Sequence, residues 1–276
     1  MAGIARRRGG VGLVLAGLGW GVAAGIALGA LVLAPSIPGG IAPRTAGGAE
    51  DAEQEQAVAE AKLREDAANE LLAQESVSIV HGALTDVPVT IVRTWTADDA
   101  DVEAIRWLLN AAGASDSGQL ILTERFFAQD AADELSTVIA NTLPAGAKLS
   151  VDNRAPGTHA GESLASVLFT GEAAGSERAS ASDRSLVLEA LQKAGFVDFR
   201  GSVVPAGAVV VVGGSADSMK PFGQSMVEDF VSALGDTGTT VLATRDVEAP
   251  DVSGARAVGA VDTEAGRILA VLSAAK

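Results

Sequence analysis

Ala208-Val209-Val210-Val211-Val212 is an unbroken aliphatic run. A strand with one wet face alternates apolar and polar residues, so a run without any polar position must be covered on both sides. From residue 77 onward, similar short apolar runs alternate with amphipathic stretches. The pattern predicts strands over 87–92, 119–123, 208–212, 240–243 and 258–261. It predicts helices over 97–112, 130–140, 162–168, 183–194, 222–234 and 266–275. In the first of these helices Val102, Ile105, Leu108 and Leu109 share a face, and Asp98, Asp99 and Asp101 crowd the first turn, where the helix dipole favours anions. Strands alternating with helices of this length imply βαβ units. Residues 77–276 are therefore expected to form a doubly wound, mostly parallel α/β domain.

The upstream chain is of a different kind. Residues 11–34 carry no charge, and Arg6, Arg7 and Arg8 precede them. A membrane helix needs roughly 20 apolar residues, so this run is expected to be a single transmembrane helix. The one-sided arginines place residues 1–10 in the cytoplasm and the main domain outside it. Gly17, Gly21, Gly25 and Gly29 recur at every fourth position, a bare stripe suited to packing against another helix, although membrane helices are glycine-rich in any case. A cleaved signal peptide is the competing view. The run exceeds the usual length of about 7–15 residues, and its best cleavage pattern, Val32-Leu33-Ala34, runs into Pro35. An uncleaved anchor is the reading adopted. Residues 35–49 are rich in proline and glycine and read as a linker. Residues 50–76 have neither and favour a helical stalk with Ala59, Leu63, Ala67 and Leu71 on one face. That stalk is either a short coiled coil or a solvated single helix.

Charge and composition exclude several functions. The net charge of −15 leaves no basic face for nucleic acid. There is no cysteine, hence no disulfide and no thiolate metal site. Val212-Gly213-Gly214-Ser215 lies between a strand and a helix, where α/β proteins bind phosphates, yet the full dinucleotide fingerprint and the phosphate-loop lysine are both missing. A tight turn that requires glycine is the simpler reading. His81 precedes the first strand and His159 stands in a Gly/Pro-rich loop; two separated histidines do not make a zinc site. Met219 and Met226 are soft donors seven residues apart, equally suited to core packing. These four residues are the available metal-ligand candidates. No catalytic motif is present, so no enzyme and no resident cofactor is expected.

Residues 78–84 (SIVHGAL), 88–94 (PVTIVRT), 142–147 (TLPAGA) and 261–272 (VDTEAGRILAVL) resemble, in order, the mycobacterial copper transport protein family, MctB, of the actinobacterial cell envelope. The resemblance implies a protein that limits intracellular copper, with copper as the transported ion, and an association with channel activity. It supplies no ligand set. A transmembrane barrel needs strands of about 9–11 alternating residues, and the strands here are short, so no pore is expected in residues 77–276. The partners implied are the membrane and a second copy or an envelope protein. A non-enzymatic envelope scaffold, oligomerising through span and stalk, is the alternative function.

Overall fold

The computed structural model describes residues 47–171, 176–199 and 201–275. The chain divides into two units between Val58 and Ala59. Of the first, the opening turns of helix α1 (Gly47–Val80) are described. Within the second unit α1 stays exposed until its last turns, where Ser76 and Val80 are fully buried in the domain. The side chains expected to form the stalk seam are exposed, Leu63 and Leu71 among them.

A six-stranded sheet follows, in the order β3-β2-β1-β4-β5-β6. The strands are β1 (Pro88–Thr94), β2 (Ser115–Leu122), β3 (Val197–Phe199), β4 (Ala208–Val212), β5 (Thr239–Ala243) and β6 (Arg256–Val258). All pairs are parallel except β2–β3. The β1–β2 ladder slips by one residue between Val89 and Ile91. Gly118 sits at this bulge with φ of 106°, and a Cβ there would meet the Ser202 carbonyl at 2.7 Å.

All five residues of β4 are buried, as the aliphatic run requires. Their alternate side chains feed two cores. Val209 and Val211 pack with α3 (Ala132–Thr142), α4 (Pro156–Leu168), α5 (Ala181–Lys193) and α6 (Pro221–Gly235). Val210 and Val212 pack with α2 (Asp99–Ala111), α7 (Glu264–Ser273) and the end of α1. The domain is thus doubly wound and mostly parallel. Helix starts are well defined: Asp98 accepts from the Ala100 amide, Ser180 from Asp183 and Thr263 from Gly266.

The expected anchored topology is corrected here. The run 11–34 and its stripe Gly17, Gly21, Gly25 and Gly29 lie outside the described residues. Among the described residues no helix is long and apolar enough to cross a membrane. The longest, α1, carries charges such as Glu60, Lys62, Arg64, Glu65 and Glu70 along its length, and hydrocarbon has no water to solvate them. The readings that depend on a span draw no support from the described residues: the cytoplasmic N-terminus, the extracytoplasmic placement of the domain, the membrane as partner, and an oligomer or envelope scaffold built through span and stalk.

Candidate functional site

In an open parallel sheet, ligands bind beyond the strand C-termini where neighbouring connections diverge. Here that point lies between β1 and β4, and the protein's own side chains fill it. After β4, the Ser215 hydroxyl donates to Asp246 Oδ1 at 2.6 Å. The Ala216 amide donates to both Asp246 oxygens, at 3.2 and 3.0 Å. The Gly214 amide donates to Thr96 Oγ1 at 3.2 Å, and a Cβ on Gly214 would strike the Thr96 carbonyl at 2.5 Å. The donors that would cradle a phosphate are therefore spent on Asp246 and Thr96. Gly213-Gly214 is a close-approach turn, in line with the simpler sequence reading.

Beside it lies an ionic knot. The Asp101 side chain is only 2% exposed. It accepts from Arg245 Nε at 2.6 Å and from Arg267 Nη2 at 2.9 Å. Arg245 also reaches Asp98 at 3.0 Å. The bond to Asp101, with the surrounding carboxylates, pushes the Arg245 pKa up. The knot ties α2 to the ends of β5 and α7, and both Asp101 oxygens are already taken.

Open space lies elsewhere, in a cleft of about 600 Å³ between α4 and α6. Gly157 and Gly161 let these helices approach closely: a Cβ on Gly161 would sit 2.6 Å from both Ala233 Cβ and the Phe230 carbonyl. From α4 the cleft receives Thr158, Glu162 and Ser166; from α6 it receives Asp229 and Ser232. The segment carrying Lys148 and Ser150 borders it. That segment is held at both sides of Ser150: its amide donates to Glu162 Oε2 at 2.9 Å, and its carbonyl accepts from His159 Nε2 at 3.0 Å.

Burial raises the Asp229 carboxyl above its ordinary 3.8. A raised carboxyl opposes folding where it is ionised. The penalty is absent below the ordinary value and complete once the pH has risen through the folded one. Asp229→Asn should therefore raise Tm at about pH 7 and leave it unchanged at about pH 3. Scanning calorimetry checks this, and a lower Tm for the variant at neutral pH would reveal a stabilising partner of the carboxylate.

The candidate ligands are dispersed. His81 is exposed in the turn after α1, whose last turn joins the core on the α2–α7 side. His159 belongs to α4, on the opposite side of the sheet. It stands in the first turns of a helix rather than in a loop, because Pro156 starts α4 and the glycines are tolerated against α6. Since a carbonyl only accepts, its Nε2 carries the proton in the bond to Ser150. Met226 is 2% exposed within the core, and half-buried Met219 ends a short 3₁₀ turn. Among the described residues no three His, Cys, Asp or Glu gather closely enough to hold a metal ion.

The cleft residues escaped the sequence reading. Their signal was there: Thr158, Glu162 and Ser166 recur at every fourth position of a helix whose other polar residues are His159 and Ser163, and Asp229, Ser232 and Asp236 recur at threes and fours.

Comparison with known proteins settles the family. Residues 13–276 match the family described as copper transport outer membrane protein, MctB. The chain is 32% identical over 225 residues to the copper transporter MctB of Mycobacterium tuberculosis, covering 75% of this chain and 72% of that one. The same figures hold for the protein of that name from Mycobacterium bovis. The copper transporter MctB of Mycobacterium leprae is 32% identical over 225 residues, covering 74% of this chain and 70% of its own. These relatives are named as transporters rather than as enzymes. The match over residues 13–276, together with relatives 32% identical of which 70% or more is covered, makes this chain a member of the MctB copper transport family.

Proposed function

We propose that this chain serves in copper transport and homeostasis and keeps the copper content of the cell low. Copper is its cargo rather than a resident cofactor. The observation that carries the reading is the family match over residues 13–276, reinforced by relatives named as copper transporters. Of the candidate donors, His81 is the one most open to an ion. It is exposed, whereas Met226 is buried and the Nε2 of His159 is occupied. Neutral imidazole nitrogen is a competent copper ligand. Total cell-associated copper, measured across a series of copper concentrations in a deletion strain and its complemented control, tests the proposal. Raised copper in the deletion strain, restored by the intact gene, is the expected result. Equal copper in the two strains overturns it.

A further inference from the structure

Residues 143–155 join α3 to α4 without a helix or strand of their own. Neither helix can absorb them. Leu143 precedes Pro144 and Ala155 precedes Pro156, and a residue before proline is pushed out of helical geometry; their ψ angles are 125° and 138°. Near the upstream end Gly146 has φ of 86°, and a Cβ there would meet only open space, so the backbone has room to pivot.

Most of the hydrogen bonds of this segment close on the segment itself. The Ala147 amide donates to the Pro144 carbonyl at 3.0 Å, and the Asn153 amide to Ser150 Oγ at 3.2 Å. The Ala155 amide donates to Asn153 Oδ1 and Arg154 Nε to the Val151 carbonyl, both at 3.1 Å. Lys148, Val151, Asp152 and Arg154 are all exposed. Leu149 packs against the core, and Pro144 is buried. Among the described residues, polar contact with the rest of the domain is made at one residue. Ser150 gives its amide to Glu162 Oε2 and takes His159 Nε2 on its carbonyl, at 2.9 and 3.0 Å. The two partners stand one turn apart on α4, and together they do for Ser150 what a neighbouring strand would do.

A segment with so little buried apolar contact and one external fastening belongs to the low-stability end of a folded protein, where opening costs much less than global unfolding. Its position gives that opening a consequence. Gly146, Ala147, Lys148, Ser150 and Asn153 border the cleft between α4 and α6. We propose that residues 143–155 are a strap latched at Ser150, which swings open as a unit while α4, α6 and the core stay folded, and which is the movable wall of the cleft. The strap stands apart from copper transport: its latch is a pair of hydrogen bonds, and its test contains no metal.

The chain has no cysteine, so one introduced thiol reports on one place. The experiment follows the reaction of the full chain with N-ethylmaleimide at rising urea concentrations below the unfolding transition. It compares Leu149→Cys, in the strap, with Leu164→Cys, fully buried in α4. The strap thiol should react at least tenfold faster, with less than half the urea dependence, because that dependence scales with the surface exposed by the opening. Adding Glu162→Ala, which removes the acceptor of the Ser150 amide, should speed the Leu149→Cys reaction at least fivefold. Glu162→Gln keeps an oxygen for that amide and should change it less than twofold. Glu162 is half-buried, so neither change puts the core at risk. Amide exchange of the unsubstituted chain makes the same comparison between Ser150 and Leu164 without any variant, and Ser150 should be the less urea-dependent. Equal urea dependence at the two places, or equal effects of alanine and glutamine at Glu162, overturns the proposal.

Discussion

Asp101→Ala is expected to lower the unfolding free energy by about 3 kcal/mol, the low end of what breaking a buried charge pair costs. Asp101 is the shared acceptor for Arg245 and Arg267, and its loss takes the most buried partner from two guanidinium groups that converge from different elements, leaving Arg245 with Asp98 and Arg267 with Glu264. The low end applies because the arginines are 37% and 21% exposed in their side chains and can recover some water. A further few tenths of a kcal/mol goes with the first-turn carboxylate of α2. Urea unfolding at neutral pH measures the change as a shift of midpoint at constant slope. A loss below about 1 kcal/mol, the worth of an exposed pair, would mean that both arginines rehydrate completely and that the knot does not hold α2 to the sheet.

Gly161→Val should destabilise by about 3 kcal/mol, the upper part of the usual range for overpacking. The Cβ alone would lie 2.6 Å from the Phe230 carbonyl, and backbone cannot swing aside as a flexible side chain can. The branched side chain must then push α4 away from α6, and the cleft between them changes shape. Gly161→Ala separates the causes. Alanine is favoured over glycine in a helix by about 1 kcal/mol, which offsets part of its smaller clash. Thermal and urea unfolding of the pair should rank glycine above alanine and alanine above valine. Equal stability of the valine variant would mean that α6 yields freely, and close packing at Gly161 would no longer account for the geometry of the cleft.

The sheet was largely legible in the sequence because burial leaves a compositional trace. The run 208–212 could only be a strand covered on both faces, and β1 and β5 showed the same signal. β2 was read from residue 119, whereas it begins at Ser115. Its first residues, Ser-Asp-Ser-Gly, look like a turn, and only pairing with β1 through the bulge holds them extended. β3 was missed altogether: three residues at an edge, paired antiparallel to β2, carry no periodicity to detect. The start of α4 was hidden by Gly157 and Gly161, which weaken local helix preference but are what α6 requires. The cleft was invisible for a related reason. A polar stripe on one helix reads as a solvated face, and only the pairing of α4 with α6 turns two such stripes into a lined space. His81 and Met226 show the converse. Their chemistry was legible, but the fold sends one to the surface and the other into the core.

The two outermost strands of the sheet are its shortest, three residues each, and each bears an exposed charge, Asp198 on β3 and Arg256 on β6. Arg256 also donates to the carbonyls of Ser273 and Ala275, closing off the tail of α7. An open ladder of unpaired amides is the usual template on which one protein chain adds a strand to another and begins to aggregate. This sheet offers almost none at either margin, and a charge of −15 adds mutual repulsion. The valine-rich core is thereby kept away from the kind of open margin on which strand addition begins.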